Sequence, residues 1–519
     1  MRLAKSILPT AAILLADLTG LAASASSTPP PDNGQCGAQS QQKCCEALRS
    51  SAVGDRVFVT GDSEYVWSRS TYYSIANNLN PTCIVLPESA EDVSTVVKTL
   101  TKKNLAPSCP FAIRSGGHTM VLGGADIGRG VTIDLSRMNG TTFNADKETA
   151  WVGPGARWGD VYETLMEHNR TVPGGRLGSV GVGGFITGGG ININSAERGF
   201  ACDDVVTFEV VLANGTITHA TNQTNSDLYR ALKGGSGNLG IVTNFEMLAF
   251  SQPEIWGGYI TYDNSSTVDI THALENFTAS VDNDESALLV SFWTYDSSVG
   301  INKAETAVYT TQPHPYPAAY QEYYAIPNIT STTRQTTLYD VVTELPDYTN
   351  EFRVLFTTLT VKNDARVVQH GVNLYNQFLE DTKASVSGGE YIIIAGFQPF
   401  PRAFGRNGLR TGGNLLGLDK KEDDLIVLLF EVFWQHTADD KLFHGLADQL
   451  IEDLNEYAVS VGSDSDWLYL NYAAKHQDPI RGYGKENVDF LKKAAKRYDP
   501  TGVFQTQMPG GFKVSKVDL

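Results

Sequence analysis

Through the first half of the chain, short apolar runs typical of strands alternate with segments whose apolar residues have helical spacing. A run at 83–86 ends at Pro87, and the apolar residues from Val93 to Leu100 then repeat at the spacing of one helical face. This interleaving continues to about Phe250, with strands predicted at 111–114, 131–135, 149–152, 205–212 and 216–220, and a helix at 158–168. The Asn214-Gly215 pair between the last two strands is a strong hairpin signal.

From about Glu254 the pattern changes to longer apolar runs and longer amphipathic segments. Core strands are predicted at 287–295, 391–397 and 425–434, and amphipathic helices at 367–383 and 441–461. Together they predict an antiparallel sheet covered by helices, a layer unlike the first half. The expected fold class is therefore α+β. Some aromatic residues of this half either contact a substrate or fill the core, namely Trp293, Tyr295, Phe397, Phe433 and Trp434.

Two glycine-rich segments carry the most specific local chemistry. The segment 111–118 (FAIRSGGH) runs from a strand into a turn that exposes successive backbone N–H groups, an arrangement that suits a pyrophosphate. The segment 174–190 extends this property, and its glycine density disfavours the alternative of plain surface turns. A G-x-G-x-x-G at 235–240 precedes a strand-like run instead of following one. We therefore reject a Rossmann assignment and keep this segment as a possible backbone contact to a cofactor.

Composition excludes several classes of function. The 519 residues carry a formal charge of −18 and the sequence pI is near 4.9, whereas nucleic-acid binding needs clustered Lys and Arg. No segment reaches the length of an apolar membrane span, and the histidines show no metal-ligand spacing. We expect no nucleic-acid partner, no membrane and no metal.

The N-terminus predicts a secretory signal peptide over residues 1–25. Arg2 and Lys5 precede an apolar stretch, and Ala23-Ser24-Ala25 fits a cleavage site. Seven glycosylation sequons begin at Asn139, Asn169, Asn214, Asn222, Asn264, Asn276 and Asn328. Six cysteines without zinc-site spacing favour disulfides, whose pairing stays open, among Cys36, Cys44, Cys45, Cys83, Cys109 and Cys202. We expect a secreted, extracellular glycoprotein.

The motifs along the chain resemble those of the berberine-bridge-enzyme-like (BBE-like) oxidoreductases. These belong to the vanillyl-alcohol-oxidase superfamily, whose FAD-binding domain is of the p-cresol methylhydroxylase (PCMH) type, and the match is best with the fungal secreted branch. The resemblance covers about residues 40–512 and is carried by PTCIVLP (81–87), FAIRSGGH (111–118), GVTIDLSRMN (130–139), VGPGARWGDVY (152–162), VGVGG (180–184), VVLANGTI (210–217), DLYRALKGGSGNLGIVT (227–243), YLNYA (469–473) and YDPTGVFQ (498–505).

The resemblance implies a division of the chain into a two-part FAD-binding domain and a substrate domain. An FAD-binding part at 40–251, with its PCMH-type core at 79–251, is completed by a BBE-like C-terminal segment at 466–519. A substrate-binding domain at 252–465, an antiparallel sheet covered by helices, lies over the flavin. We expect a monomer.

The resemblance also implies how FAD is held. His118 occupies the position that forms a covalent bond to the flavin C8-methyl carbon, which makes the flavin a stronger oxidant. Leu177 occupies the position of a second, cysteinyl link, so a single attachment through His118 is expected. Val180 resembles the residue of oxygen-reactive relatives. The expected cofactor contacts are Arg114, Ser115, Gly116 and Gly117 at the pyrophosphate, Pro154, Gly155, Gly181, Val182, Gly183, Gly184, Gly189, Gly240, Ile241 and Val242 along the dinucleotide, and Asn471 near the isoalloxazine.

Three residues are candidates for the catalytic base. Tyr472 matches the base of carbohydrate-oxidising relatives, and Tyr469 precedes it in the Y-x-N-Y motif. A tyrosine titrates near pKa 10, so a tyrosine base needs a neighbouring charge. Gln398 stands in the stretch where plant relatives carry a glutamate. Glu431, inside the apolar run 425–434, is a weaker candidate, its alternative being a solvent-facing edge residue or a structural ion pair.

The expected function is oxidation of a small molecule. A hydride from an alcohol or amine carbon of a sugar, aromatic alcohol or secondary metabolite passes to FAD and then to O2, which gives hydrogen peroxide. One alternative is an oxidative or redox-neutral cyclase of secondary metabolism. Another is a secreted flavin-binding protein without catalysis.

Overall fold

The computed structural model describes residues 35–105, 109–251 and 254–519. The predicted signal peptide at 1–25 lies outside these residues. Within them, no helix is long and apolar enough to cross a membrane, and no cluster of side chains has the make-up of a metal site.

A four-stranded sheet leads into the first glycine-rich turn. Its strands are β1 (Val57–Phe58), β2 (Cys83–Val85), β3 (Phe111–Arg114) and β4 (Val131–Asp134), and its helices are α1 (Gln35–Arg49), α2 (Ser63–Ser70) and α3 (Ala90–Leu100). The order is β1-β2-β4-β3, with β2, β4 and β3 parallel. Ser89 caps the N-terminus of helix α3, because its hydroxyl accepts a hydrogen bond from the Asp92 amide at 3.2 Å.

Two disulfides join α1 to this sheet. Cys44 pairs with Cys109, and Cys45 pairs with Cys83. Cys202 is buried and forms no disulfide with another described residue. Adjacent cysteines on one helix thus reach two different parts of the sheet. The side chain of Cys36 lies outside what the structure describes.

A five-stranded antiparallel sheet follows, in the order β5-β6-β9-β7-β8. Its strands are β5 (Thr141–Asn144), β6 (Thr149–Val152), β7 (Val205–Val211), β8 (Ile217–Ala220) and β9 (Ile241–Leu248), and its helices are α4 (Trp158–Met166), α5 (Val182–Thr187), α6 (Ser195–Arg198) and α7 (Ser226–Leu232). The predicted hairpin is confirmed: β7 and β8 pair around Gly215, which has a φ of +77°. The G-x-G-x-x-G lies between helix α7 and strand β9, the reverse of a Rossmann unit.

The largest sheet has eight antiparallel strands. They are β10 (Ile255–Tyr262), β11 (Ala287–Asp296), β12 (Ile301–Thr310), β13 (Thr330–Ser331), β14 (Arg334–Thr336), β15 (Arg353–Lys362), β16 (Tyr391–Phe400) and β17 (Leu425–Trp434). The main order is β13-β10-β12-β11-β16-β17-β15, and β14 also pairs with β10. The accompanying helices are α8 (Thr267–Ser280), α9 (Gln321–Ala325), α10 (Leu338–Val342), α11 (Ala365–Ser385), α12 (Arg402–Gly408) and α13 (Asp440–Val461).

The two faces of this sheet have different environments. Helices α8, α11 and α13 pack on one face, where Phe430 of β17 meets Phe378 of α11. Leu429, Glu431 and Phe433 alternate with those core residues and line a cavity on the opposite face. Four of the five candidate aromatics lie in the core, and only Phe433 among them lines the cavity.

The C-terminal segment packs against the first two sheets. It contains α14 (Lys485–Tyr498) and α15 (Val503–Thr506). The Phe111 amide of β3 donates to the Gln507 carbonyl at 2.8 Å, and Phe504 joins the core of the first sheet. The expected α+β class is confirmed, with small shifts at element ends: the helix predicted at 158–168 ends at Met166, and the strand predicted at 216–220 begins at Ile217.

Candidate active site

One cavity of about 830 Å³ connects the glycine-rich segments with the large sheet. Its volume lies within the range of small-molecule and cofactor sites, roughly 300–1,000 Å³. Most residues predicted from the sequence line it, namely Ser115, Gly116, Gly117, His118, Pro154, Gly181, Gly183, Gly184, Gly240, Ile241, Val242, Glu431, Tyr469, Asn471 and Tyr472. Val182 is instead buried in the core, and Gly189 contacts Leu416.

The two glycine-rich segments touch each other. A Cβ on Gly116 would lie 2.5 Å from the Gly181 Cα, so neither position has room for a side chain. The Ser115 hydroxyl bridges the segments, because it donates to the Pro154 carbonyl and accepts from the Gly183 amide at 3.0 Å. A Cβ on Gly184 would meet nothing within 4 Å, which leaves open space against the cavity. The result is a backbone-lined cradle without side chains.

Arg114 lies behind this cradle. Its guanidinium is buried, bonds to Asp134 at 3.1 Å and stacks 3.9 Å from the Tyr72 ring centroid. Arg114 and Gly155 border a second hollow of about 610 Å³, together with Arg157. Arg157 donates to the Gly116 carbonyl at 3.2 Å, which ties the loop in place.

His118 presents an unoccupied ring nitrogen. Its Nε2 atom is buried and has no hydrogen-bond partner among the described residues. The imidazole stacks on the Tyr73 ring with centroids 3.9 Å apart. Burial, assisted by the charge of Arg157, lowers the pKa of His118 to about 4, so the ring is neutral at physiological pH. A neutral imidazole is the nucleophilic form.

Asn471 and Tyr469 hold the second glycine-rich segment against the C-terminal segment. Asn471 Nδ2 donates to the Phe185 carbonyl and to the Tyr469 hydroxyl, each at 3.1 Å. The Tyr469 oxygen also accepts from the Gly190 and Ile191 amides, at 3.0 and 2.9 Å. Burial raises the pKa of Tyr469 above its ordinary range. With three donors on its oxygen, Tyr469 serves to position this segment.

Tyr472 has the neighbouring charge that a tyrosine base requires. Arg176 Nη2 donates to the Tyr472 hydroxyl oxygen at 2.9 Å and to Gln398 Oε1 at 2.7 Å. The Tyr472 hydroxyl donates in turn to Gln398 Oε1 at 3.2 Å. All three side chains line the cavity, so a tyrosine, a cation and an amide converge at one point.

Glu431 lies in the middle of β17, between β16 and β15, where its backbone is paired with Ile394 and Phe356. The alternatives of an edge position and an ion pair are therefore wrong, since no ion pair to Glu431 occurs among the described residues. Burial raises its pKa to about 8 despite the opposing charge of Arg176. The carboxyl group faces the cavity in its protonated form at neutral pH.

Sequence reasoning missed three residues that the fold adds to the site. Tyr73 carries no local motif, and Arg176 lies inside the second glycine-rich segment but joins the site only through its long-range contacts. Lys513 lines the cavity next to Gly511 and Phe512, is buried, and its amine has no hydrogen-bonded partner among the described residues. Burial, with the charge of Lys516, lowers the pKa of Lys513 to about 7. The glycine pair at 510–511 before Lys513 is the signal that could have indicated it.

These features fit FAD. A backbone cradle suits a pyrophosphate, a buried lysine suits its negative charge, and a neutral histidine with an orphaned nitrogen faces the same cavity. Fold and site thus define an FAD-binding oxidoreductase. A family described as "FAD binding domain" matches residues 81–221.

Relatives with known names agree. The chain is 58% identical to an FAD-dependent monooxygenase, drtC, of Aspergillus calidoustus, over 98% of this chain and 96% of that protein. It is 42% identical to the FAD-dependent monooxygenase sdcF of Emericella nidulans, over 91% of this chain and 98% of that one. The chain belongs to the family of FAD-dependent monooxygenases and FAD-linked oxidoreductases that these relatives represent. It is therefore an enzyme, which excludes the alternative of a flavin-binding protein without catalysis.

Solved structures share the fold at low identity. The xylooligosaccharide oxidase of Myceliophthora thermophila has a TM-score of 0.72 at 19% identity, over 92% of this chain and 100% of that one. BBE-like 1 of Physcomitrella patens has a TM-score of 0.71 at 19% identity, over 90% of this chain and 98% of that one. The glucooligosaccharide oxidase of Acremonium strictum has a TM-score of 0.70 at 19% identity, over 92% of this chain and 98% of that one. That enzyme carries a 6-S-cysteinyl, 8α-N1-histidyl FAD.

Proposed function

We propose that this protein is a secreted oxidase with a single covalent FAD link, which oxidises an alcohol or amine carbon of a small molecule. The observation that carries this proposal is the continuity of one cavity from His118 and the glycine cradle to Tyr472, Arg176 and Gln398. FAD held there would supply the acceptor for the hydride that leaves the substrate, and O2 would be the final electron acceptor. The two disulfides and the seven sequons support export.

His118 is the proposed attachment residue. Its neutral ring and the unpaired Nε2 support a nucleophile, and stacking on Tyr73 fixes the plane of the ring. Leu177 lines the same cavity but has no sulfur with which to form a cysteinyl link like that of the Acremonium strictum enzyme. A single link follows.

The cofactor's phosphates are assigned to the cradle. Backbone amides of Ser115, Gly116 and Gly117 would bind the pyrophosphate, with Lys513 as a buried cation at the cofactor end of the cavity. Arg114 would contribute to phosphate binding through its backbone and not through its side chain, because its guanidinium is bonded to Asp134. Asn471 holds the segment that borders the isoalloxazine.

Tyr472 is the proposed base. It would remove the proton from the substrate hydroxyl or amine, and Arg176 places a positive charge beside its oxygen through a 2.9 Å hydrogen bond. Gln398 accepts from both residues and so fixes their mutual orientation. Tyr469 is assigned a positioning role, and Glu431 holds its proton at neutral pH and is ranked second.

A second candidate, monooxygenation, is favoured by the names of the relatives at 58% and 42% identity. The two functions differ in the fate of O2. An oxidase releases hydrogen peroxide and leaves 18O2 label out of the organic product, whereas a monooxygenase places one labelled atom in the product.

The first experiment is the mass and absorbance of the denatured, deglycosylated protein. We expect yellow colour that stays with the polypeptide and adds one FAD mass, and that is lost in His118→Ala. Colour released from the wild-type protein on denaturation would contradict the covalent link. Peroxide release with a panel of alcohols and amines then tests the reaction, and label in the product without peroxide would replace the oxidase by the monooxygenase.

A further inference from the structure

Arg176 keeps one nitrogen unused at the centre of the cavity. Its Nη2 bonds to Gln398 and Tyr472, but its Nη1 is buried and has no hydrogen-bond partner among the described residues. Leaving a buried donor of a charged group unpaired is unfavourable, because the group has lost its hydrogen bonds to water and gained none in return. A site that keeps such a donor is suited to a ligand that supplies the acceptor.

The other charges around the cavity do not neutralise this guanidinium. Lys303 pairs with Glu305 at 3.0 Å, and Glu344 pairs with Arg334 at 3.0 Å. Asp296 accepts hydrogen bonds from the backbone amide and hydroxyl of Ser298. Arg176 has no carboxylate within ion-pair distance in the described part of the chain, and Glu431 faces the same space as a neutral acid.

The large sheet also supplies apolar side chains to the lining of this cavity, namely Phe292, Phe356, Ile392, Ile394, Leu429 and Phe433. Because the Nη1 atom is buried, it attracts an anion more strongly than it would in water. An apolar body with one charged oxygen matches both features.

We propose that Arg176 Nη1 binds an ionised oxygen of the substrate, so that the enzyme acts on a carboxylate, phenolate or enolate with an apolar body. This inference rests on the proposed function, since it names the substrate class of the same site. Tyr472 would remain the group that removes the proton from the substrate hydroxyl or amine, and Glu431 would offer its proton to a second substrate oxygen.

Calorimetric titration of the protein as isolated tests this at pH 7. Benzoate is compared with benzamide, and 4-nitrophenol with 4-nitroanisole, so that each acid has a neutral counterpart of similar shape. We expect at least one acid to bind about tenfold tighter than its counterpart, as a charge-assisted hydrogen bond implies. The pair that shows the difference distinguishes a carboxylate from a phenolate.

Variants locate the effect. In Arg176→Met the preference should fall to less than about threefold, and in Arg176→Lys part of it should remain, because a lysine supplies charge without the planar fork. Lys303→Met is the matched control: it removes an already paired cation from the same cavity and should leave the preference unchanged. No preference in the wild-type protein, or an equal preference in Arg176→Met, would overturn the inference.

The binding result is separable from the proposed function. If acids are preferred but Tyr472→Phe keeps full turnover, the base assignment fails and the anion site stands. If Tyr472→Phe abolishes turnover of neutral alcohols and no acid is preferred, the anion site fails alone.

Discussion

Arg176 Nη2 lies 2.9 Å from the hydroxyl oxygen of Tyr472, a residue 296 positions further along the chain. This contact places a positive charge beside the candidate base, which a tyrosine in water does not have. It also joins the second glycine-rich segment to the C-terminal segment, so the proposed reaction site lies where these two segments meet.

Tyr472→Phe should lower kcat/KM by a factor of about 10²–10⁴, because proton removal by a positioned base contributes that much. The flavin should stay attached. Tyr469→Phe is the matched control, since it leaves the Gly190 and Ile191 amides without their acceptor and should lower the melting temperature more than the rate of flavin reduction. Rapid-mixing reduction of the flavin measures the rate. Equal rate losses in both variants would contradict the division of roles.

Covalent attachment should be insensitive to pH between about pH 6 and 9. With the pKa of His118 lowered to about 4, the ring is already neutral throughout this range. Apo-protein from flavin-starved cells is mixed with FAD, and acid-stable fluorescence is followed over time. A rate that falls about fourfold from pH 8 to pH 6 would show that His118 titrates near its ordinary value of about 6.5.

Glu431→Gln should stabilise the protein at high pH. The pKa of Glu431 is raised to about 8, so between pH 4.5 and 8 the folded state keeps a proton that the unfolded state releases. The contribution to stability is full below pH 4.5 and is lost as pH rises through 8. We expect the melting temperature of Glu431→Gln to exceed that of the wild type by roughly 2–4 °C at pH 8.5, with no difference at pH 4.

Lys513→Met should reduce the FAD content of purified protein, because it removes a buried amine that lines the cavity and that we assign to the cofactor's phosphates. The pKa of Lys513, lowered to about 7 in the free site, should rise when the phosphates bind. The ratio of flavin to protein absorbance, at equal melting temperature of the apo-proteins, measures the effect. Lys516→Met is the control, and equal flavin loss in both variants would argue against a specific contact.

Cys45→Ala should cost about 4 kcal/mol of unfolding free energy, the chain-entropy estimate for a loop of this length. Peptide mapping without reduction should recover the pairs Cys44–Cys109 and Cys45–Cys83. A Cys44–Cys83 peptide would contradict the structure.

Much of this protein is determined by local sequence. The strand at 111–114, the hairpin at Gly215 and the long core strand Leu425–Trp434 follow from apolar periodicity and turn residues, because backbone sterics limit each pattern to one conformation. His118 and the first glycine-rich turn are equally local, since the single segment 111–118 carries them, whereas the complete cradle also needs the segment 174–190.

Only the tertiary structure decided which distant residues contact each other and which side chains are ionised. No spacing links Arg176 to Tyr472, Tyr73 to His118, or Cys45 to Cys83 along the chain. Glu431 is an ordinary acid in the sequence, and its pKa is raised to about 8 only because the fold shields its carboxyl group from water. The physical reason is range: conformation depends on neighbours in sequence, whereas ionisation and hydrogen bonding depend on neighbours in space, which the packing of three sheets supplies.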